Sequence, residues 1–252
     1  MSDAVLYEVT DETATLTMNQ PEQLNALGEA LVSGLHTALD RAINDHARQI
    51  VLKATGRAFS AGLDLSGLND ATDGDLLLRL VRIEQLLQRI RHFDLPTIAL
   101  VHGACFGAAA DLVLCCRSRI ASDDARFLMP GLRFGIVLGT RRLRDVVGEP
   151  SAYFLLDRVK PFSAGIALEH GFLTEIVDTD GWDDAVNNTK ERLSGFSVDA
   201  YAHRVASLTP DTRDEDMNQL VSSITSTADG LTIKSRMQAY VELIKAARQA
   251  KK

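Results

Sequence analysis

Three cysteines in 252 residues are too few, and too poorly spaced, to staple a fold. Cys105, Cys115 and Cys116 are odd in number, two of them are adjacent, and no Cys-x-x-Cys zinc spacing occurs, so a reducing compartment is expected. A surplus of positive charge is also missing. Lys plus Arg number 27 against 34 Asp plus Glu, a net charge of −7. That balance argues against the basic footprint of a nucleic-acid binder but not against a phosphorylated ligand, which responds to local charge. No apolar run reads as a membrane span. The most apolar stretch, Ile98 to Cys116, holds His102, Gly103, Gly107 and Asp111, and it reads as a buried strand, a turn and a buried helix. Met1-Ser2-Asp3-Ala4 shows no basic segment leading into an apolar one, so no signal peptide is expected and a cytoplasmic location is. Dinucleotide and phosphate-loop fingerprints are absent, as is a Gly-x-Ser-x-Gly nucleophile elbow. The six histidines show no metal spacing. His36, His46, His92, His170 and His203 read as surface or helix-end residues, and only His102 lies beside a candidate site.

What is present is the balance of a soluble globular chain, 46 % hydrophobic and 24 % charged, long enough for a large core. Residues 4–18 alternate around Asp11-Glu12 as a β-hairpin, with Val5, Tyr7 and Val9 on one arm and Ala14, Leu16 and Met18 on the other. Leu27, Leu31, Leu35, Ala38, Leu39, Ala42 and Ile43 form a helical stripe over 27–46. Leu76, Leu80, Ile83, Leu87 and Ile90 form another over 75–92. Ile50–Leu52, Thr97–Val101 and Arg119–Ser122 read as short strands, Gly103–Gly107 as a turn and Ala108–Cys116 as a helix. The alternation of strand and helix predicts an α/β core. After about residue 140 the pattern is mostly helical: 141–147, 151–156, 164–169, 182–193 and 231–250, with a last strand at 175–177. Polar Thr209–Met217 reads as a loop. Arg141, Arg142 and Arg144 read most simply as a solvated helix face, with a phosphate contact as the alternative.

Two segments could carry chemistry. Arg57 to Leu65 follows a strand and is rich in small residues, so its backbone N–H groups could meet a ligand closely; a plain turn is the alternative. In His102 to Leu112 a strand feeds a turn and then a small-residue helix. The N–H groups of a helix's first turn lack intrahelical partners and suit an anion or a developing oxyanion. Asp111, three residues after Ala108, shares its face and can reach the space that helix end points into. The alternative is close packing, with Asp111 serving the helix dipole.

Three stretches together resemble the enoyl-CoA hydratase/isomerase family, the crotonase superfamily. Asn19-Gln20-Pro21-Glu22-Gln23-Leu24-Asn25-Ala26-Leu27 is similar to the family's Asn-Arg-Pro-x-x-x-Asn-Ala-Leu, and Gly56 to Leu65 to its Ala-Phe-Cys/Ala-Ala-Gly-Ala-Asp-Leu loop. Val101 to Leu112 is similar to its Asn-Gly-x-x-x-Gly-Gly-Gly-x-Glu-Leu segment. The resemblance covers about residues 5–180. It implies an α/β fold, a crotonase-type spiral of ββα repeats over 1–180, followed by a helical C-terminal segment, 181–252, that assembles trimers or dimers of trimers. It implies an acyl-CoA thioester as ligand, with coenzyme A part of the substrate and no separate cofactor or metal. By position it makes the backbone N–H groups of Leu63 and Ala108 the donors that hold a thioester enolate oxygen. It puts Gln23, Leu24, Ala61, Gly62, Asp64, Leu65, Gly107, Pro130 and Gly131 around the substrate.

The departures bear on the reaction. Asp111 replaces the first of the two glutamates by which hydratases hold water, and it is one methylene shorter; about 1 Å of misplacement can cost on the order of 100-fold. Gly131 stands at the second, where losing an acid or base costs about 10²–10⁴-fold. Gly135 to Leu143 is about three residues shorter than the family's loop. Glu22 stands where hydratases often carry a cation, and Arg57 is the candidate substitute. The expected function is an enoyl-CoA hydratase/isomerase-type enzyme, with the missing glutamate counting against efficient hydration. The alternatives are single-carboxylate crotonase chemistry (isomerase, hydrolase or decarboxylase) and a non-catalytic acyl-CoA-binding protein. Asp145 and Glu149 are the carboxylates that could fill the space left by Gly131.

Overall fold

The computed structural model describes residues 3–226 and 230–249. The chain enters through an antiparallel hairpin, β1 (Val5–Thr10) and β2 (Thr13–Met18). Asp11 and Glu12 both take positive φ, 48° and 60°, the twist a two-residue hairpin turn requires. In β2 the alternation is realised, with Ala14, Leu16 and Met18 buried. Helix α1 (Glu29–Asn44) follows and buries its leucine stripe.

A unit of two strands then repeats. β3 (Gln49–Ala54) and β4 (Ala58–Ser60) lead to α2 (Asp73–Arg91). β5 (Thr97–Val101) and β6 (Ala104–Phe106) lead to α3 (Ala108–Cys115). β7 (Ser118–Ala121) and β8 (Arg126–Leu128) lead to α4 (Thr140–Val147) and α5 (Glu149–Leu156). Each pair gives its first strand to one sheet and its second to another, so the chain climbs as a spiral. The chain continues through β9 (Phe162–Ser163), α6 (Ala164–Glu169) and β10 (Glu175–Ile176). The larger sheet runs β1-β2-β3-β5-β7-β10 and the smaller β4-β6-β8-β9. Apart from the opening hairpin and the β8–β9 pair, the strands are parallel. Successive turns touch at the corners. Gly103 (φ 57°) lies so close to the preceding turn that a Cβ there would sit 2.3 Å from the Arg57 carbonyl oxygen.

Short strands explain where the sequence reading differs. Gly103–Gly107 contains β6 rather than a plain turn, and Arg57–Leu65 begins with β4, because three residues are too few for alternation to show. The strands β8 and β9 escaped for the same reason. The C-terminal segment holds α7 (Trp182–Leu193), α8 (Val198–Leu208), α9 (Arg213–Thr225) and α10 (Ile233–Gln249). Helix α8 was not foreseen, and α9 begins inside the stretch read as a loop. Its acids Asp214, Glu215 and Asp216 fill the first turn, where the helix dipole favours negative charge. The last two residues of the expected 231–250 helix are Gln249, which ends α10, and Ala250, which lies outside the described residues.

The main core lies between the sheets and α1, α2 and α3, with Phe127, Phe162 and Phe172 packed at ring separations of 5.0–5.8 Å. Helix α3 is buried all round, and its alanines let the neighbouring elements close on it. Leu76 and Leu80 of α2 form a second cluster with Leu220 and Ile224 of α9 and Ile233 and Met237 of α10. Helix α7 covers the far face of the larger sheet through Ala185 against Val51, Ile98, Leu100 and Ile120. Among the described residues no helix is long and apolar enough to cross a membrane.

Asn25 ties the entry segment to the first turn. It is fully buried at φ 49°; its side chain accepts from the Gln20 amide (2.8 Å) and donates to the carbonyls of Thr55 (2.9 Å) and Ala58 (3.0 Å). Its own carbonyl accepts from Ser60 Oγ at 2.6 Å. Asn25→Ala strands buried backbone groups and places a Cβ residue without a local hydrogen bond at positive φ. It is expected to cost about 2–4 kcal/mol, read as a lower urea midpoint at unchanged slope.

Candidate active site

The loop after β4 is fixed from below. Ser60 Oγ accepts the Gly62 amide (3.1 Å), the Ala61 amide donates to the Leu24 carbonyl (2.9 Å), and the Gly62 carbonyl accepts from the Leu27 amide (2.7 Å). Gly62 has φ 85°, and a Cβ on it would lie 2.2 Å from the Phe106 carbonyl oxygen and 3.3 Å from the Ala108 nitrogen. Glycine is therefore required for this loop to meet the turn before α3. That turn is held by the Gly107 amide, which donates to the Leu128 carbonyl (2.7 Å). The result brings the segment carrying Leu63 against the first residue of α3, Ala108. Neither of their N–H groups has a backbone partner outside its own element among the described residues.

Both residues line a cavity of about 540 Å³, within the usual range for small-molecule sites. Of the residues singled out from the sequence, Leu24, Ala61, Leu63, Leu65, Gly107, Ala108, Asp111, Pro130 and Gly131 line it. Gln23, Gly62 and Asp64 do not. Gln23 is exposed on the short 3₁₀ turn Pro21–Gln23. Gly62 is buried behind the wall. Asp64 accepts from the Ser66 amide (2.8 Å) and hydroxyl (2.9 Å) and so structures the loop. His102 also stays outside, with Nε2 2.8 Å from the Gly56 carbonyl oxygen.

Asp111 is the one carboxylate on the cavity wall among the described residues. It is 5 % exposed, and its Oδ1 is buried with no hydrogen-bond partner. Burial pushes its carboxyl up to about 7; the Arg142 cation pulls it back down, and the Glu84 carboxylate pushes it up. The residue before α4 packs directly on it, since a Cβ on Gly139 would lie 1.7 Å from Oδ1. Gly131 faces the same space without a side chain. Neither Asp145, paired with Arg144 at 2.8 Å, nor Glu149 reaches the wall to replace it.

Two groups of residues were missed from sequence. Arg142 is not on a solvated face. It is 3 % exposed and bonds Glu84 through two nitrogens, at 2.6 and 2.8 Å. The available signal was Glu84, a charge standing at an apolar-stripe position of α2 between Leu80 and Leu87. The C-terminal segment also reaches the site: Tyr240, Leu243 and Ile244 of α10 line the cavity. Helices α9 and α10 hold the loop before α4, through Ser223 Oγ accepting from the Val137 amide (3.1 Å) and Arg236 donating to the Gly135 carbonyl (3.4 Å).

A spiral of two-strand units of this kind is the architecture of the crotonase superfamily. The chain belongs to the enoyl-CoA hydratase/isomerase family, whose model matches residues 8–249. It is 35 % identical over 179 residues, 68 % of each chain, to a protein of Bacillus subtilis (strain 168) named "Probable enoyl-CoA hydratase". It is 31 % identical over 205 residues, 78 % of each chain, to a trans-2-decenoyl-[acyl-carrier-protein] isomerase of Streptococcus mutans serotype c. A crystal structure from Bordetella parapertussis, described as an enoyl-CoA hydratase/isomerase, superposes with a TM-score of 0.90 at 35 % identity, covering 95 % of this chain and 99 % of that one.

The raised proton affinity of Asp111 has a stability consequence. An acid whose folded pKa lies above its unfolded value weakens the fold as pH rises between the two, here from about 4 to about 7, and the full cost is present above 7. Asp111→Asn is therefore expected to gain on the parent protein between pH 5 and pH 8, by an amount on the order of a few kcal/mol. Thermal unfolding at the two pH values measures it, and a gap that does not widen at pH 8 contradicts the assignment.

Proposed function

We propose that the protein is an enoyl-thioester isomerase acting through an enolate, with Asp111 as the only proton carrier. The observation that carries this reading is that, among the described residues, a single unpartnered carboxylate stands on an otherwise largely apolar wall. Moving a double bond needs one proton taken from one carbon and returned to another. The Asp111 carboxylate takes a proton from C2 or C4 of the enoyl thioester. The electron pair left behind moves into the carbonyl, and the negative charge collects on its oxygen. The N–H groups of Leu63 and Ala108 are the donors for that oxygen, a preorganised pair of the kind worth several kcal/mol. The carboxylic acid then returns its proton at the other end of the dienolate, and the carboxylate is regenerated. Electrons balance without a redox group or a metal.

An acyl-CoA thioester is the first substrate to test, with Ala61 and Leu65 beside its entry. Hydration is the second reading, favoured by the relatives that carry hydratase names. A reducing cytoplasmic location is supported by three buried free thiols. Assembly as a trimer or dimer of trimers is supported by exposed apolar side chains on the C-terminal half, Tyr153, Phe154, Val159 and Leu208 among them. Sedimentation is expected to give about three or six times the mass of one chain; a monomer would oppose this.

The chemical test follows 3-enoyl- and 2-enoyl-CoA esters by product mass. The expected outcome is interconversion of the two, with kcat/KM rising with pH through about 7 and level above it, because the base form of Asp111 is needed. Asp111→Asn is expected to lose about 10²–10⁴-fold. A 3-hydroxyacyl product that depends on Asp111 would establish hydration instead, and binding without turnover would mark a carrier.

A further inference from the structure

Helices α2, α4 and α9 meet beside the cavity in a charge cluster whose centre, Arg142, Glu84 and Asp216, is buried and that no step above uses. Arg142 of α4 donates from Nη2 to Glu84 Oε2 (2.6 Å) and from Nη1 to Glu84 Oε1 (2.8 Å), both oxygens of a carboxylate with no exposure. Its Nη1 lies 3.4 Å from Asp216 Oδ2, and Asp216 also binds Arg141 Nε (2.9 Å) and Thr212 Oγ1 (2.8 Å). Nη2 also donates to the Leu138 carbonyl (3.1 Å), the residue before Gly139, and Gly139 is the residue that packs on Asp111 Oδ1. The guanidinium therefore fixes the backbone that bounds the carboxylate. Its Nε is buried without a partner, as is Asp111 Oδ1.

A buried ion cluster is a poor device for stability alone, since a well-packed apolar substitute is often as stable. This one stands beside the only carboxylate on the cavity wall among the described residues. We propose that Arg142, clamped by Glu84 and Asp216, is a positioning residue that sets the proton affinity and placement of Asp111. What the inference adds to catalysis rests on Asp111 being the proton carrier; the hold of Arg142 on Asp111 does not. The charged and titratable groups that act on Asp111 from its surroundings are Arg142 of α4 and Glu84 of α2, with Cys105 of β6 and Cys115 of α3 as buried thiols held protonated by burial. The cation favours the carboxylate, Glu84 opposes it, and the cation's effect is the larger of the two. Asp216 acts by partly neutralising Arg142.

The test compares Glu84→Gln, Asp216→Asn and Arg142→Gln in the full-length protein. Each is read twice, by the ¹³C titration of the Asp111 carboxyl, assigned by its loss in Asp111→Asn, and by the pH profile of kcat/KM on an enoyl-CoA ester. Glu84→Gln removes a negative charge and keeps an acceptor for Arg142, so the Asp111 midpoint is expected to fall by about one unit, with Asp216→Asn moving it the same way. Arg142→Gln is expected to raise it by a similar amount. Should that variant fail to fold for want of a partner for Glu84, the two acid variants decide alone. Midpoints that stay put while rates fall evenly at every pH would make the cluster merely structural and overturn the inference. Midpoints that move as stated in the NMR titration while the rate profile does not follow would leave this inference standing and remove Asp111 from the proposed reaction.

Discussion

The structure depends on how closely one turn of the spiral can lie on the next. Two contacts set that distance. Gly103 meets the Arg57 carbonyl, and Gly62 meets the Phe106 carbonyl, each at a separation that excludes even a methyl group. Both glycines take positive φ, which glycine adopts at little steric cost. Wider spacing would part Leu63 from Ala108 on the cavity wall. The same stacking aligns β4, β6 and β8 into one sheet, so the close approach serves the fold and the candidate site together.

Close packing has an electrostatic cost at Asp111. Burying a carboxylate without a partner is unfavourable, and a chain selected for stability alone would place an apolar residue there. The fold offsets the burden only in part, through Arg142, and the residual shift leaves a group that exchanges its proton near neutral pH. In the proposed reaction the charge on the thioester oxygen is handled differently, by backbone dipoles that need no counter-ion. The proposed reaction is therefore compatible with a net charge of −7 and needs no basic patch in the sequence.

Much of this was legible from residues alone, for reasons of length and period. The hairpin around Asp11-Glu12 and the stripes of α1 and α2 announced themselves because alternation or a 3.6-residue repeat had room to show. The two- and three-residue strands of the smaller sheet, β4, β6, β8 and β9, did not. The family-like motifs marked Leu63, Ala108 and Asp111 correctly as neighbours of one cavity. They could not show that Gln23 and Asp64 face elsewhere, since residues in one motif alternate between wall and support. Arg142 was misread because three arginines in four residues look like a solvated face. Only the placement of Glu84 on the opposing stripe says which of them turns inward.

The C-terminal helices bear on the chemistry as well as on assembly. Helix α10 closes the cavity with Tyr240, Leu243 and Ile244, and α9 supplies Asp216 to the buried cation and Ser223 to the loop before α4. That loop carries Gly139, whose backbone bounds Asp111. The spiral and the C-terminal helices thus meet beside Asp111: the spiral provides the carboxylate and the amides, and the helices fix the wall that faces them. Gly139 packs directly on the aspartate, because it brings no side chain into that contact.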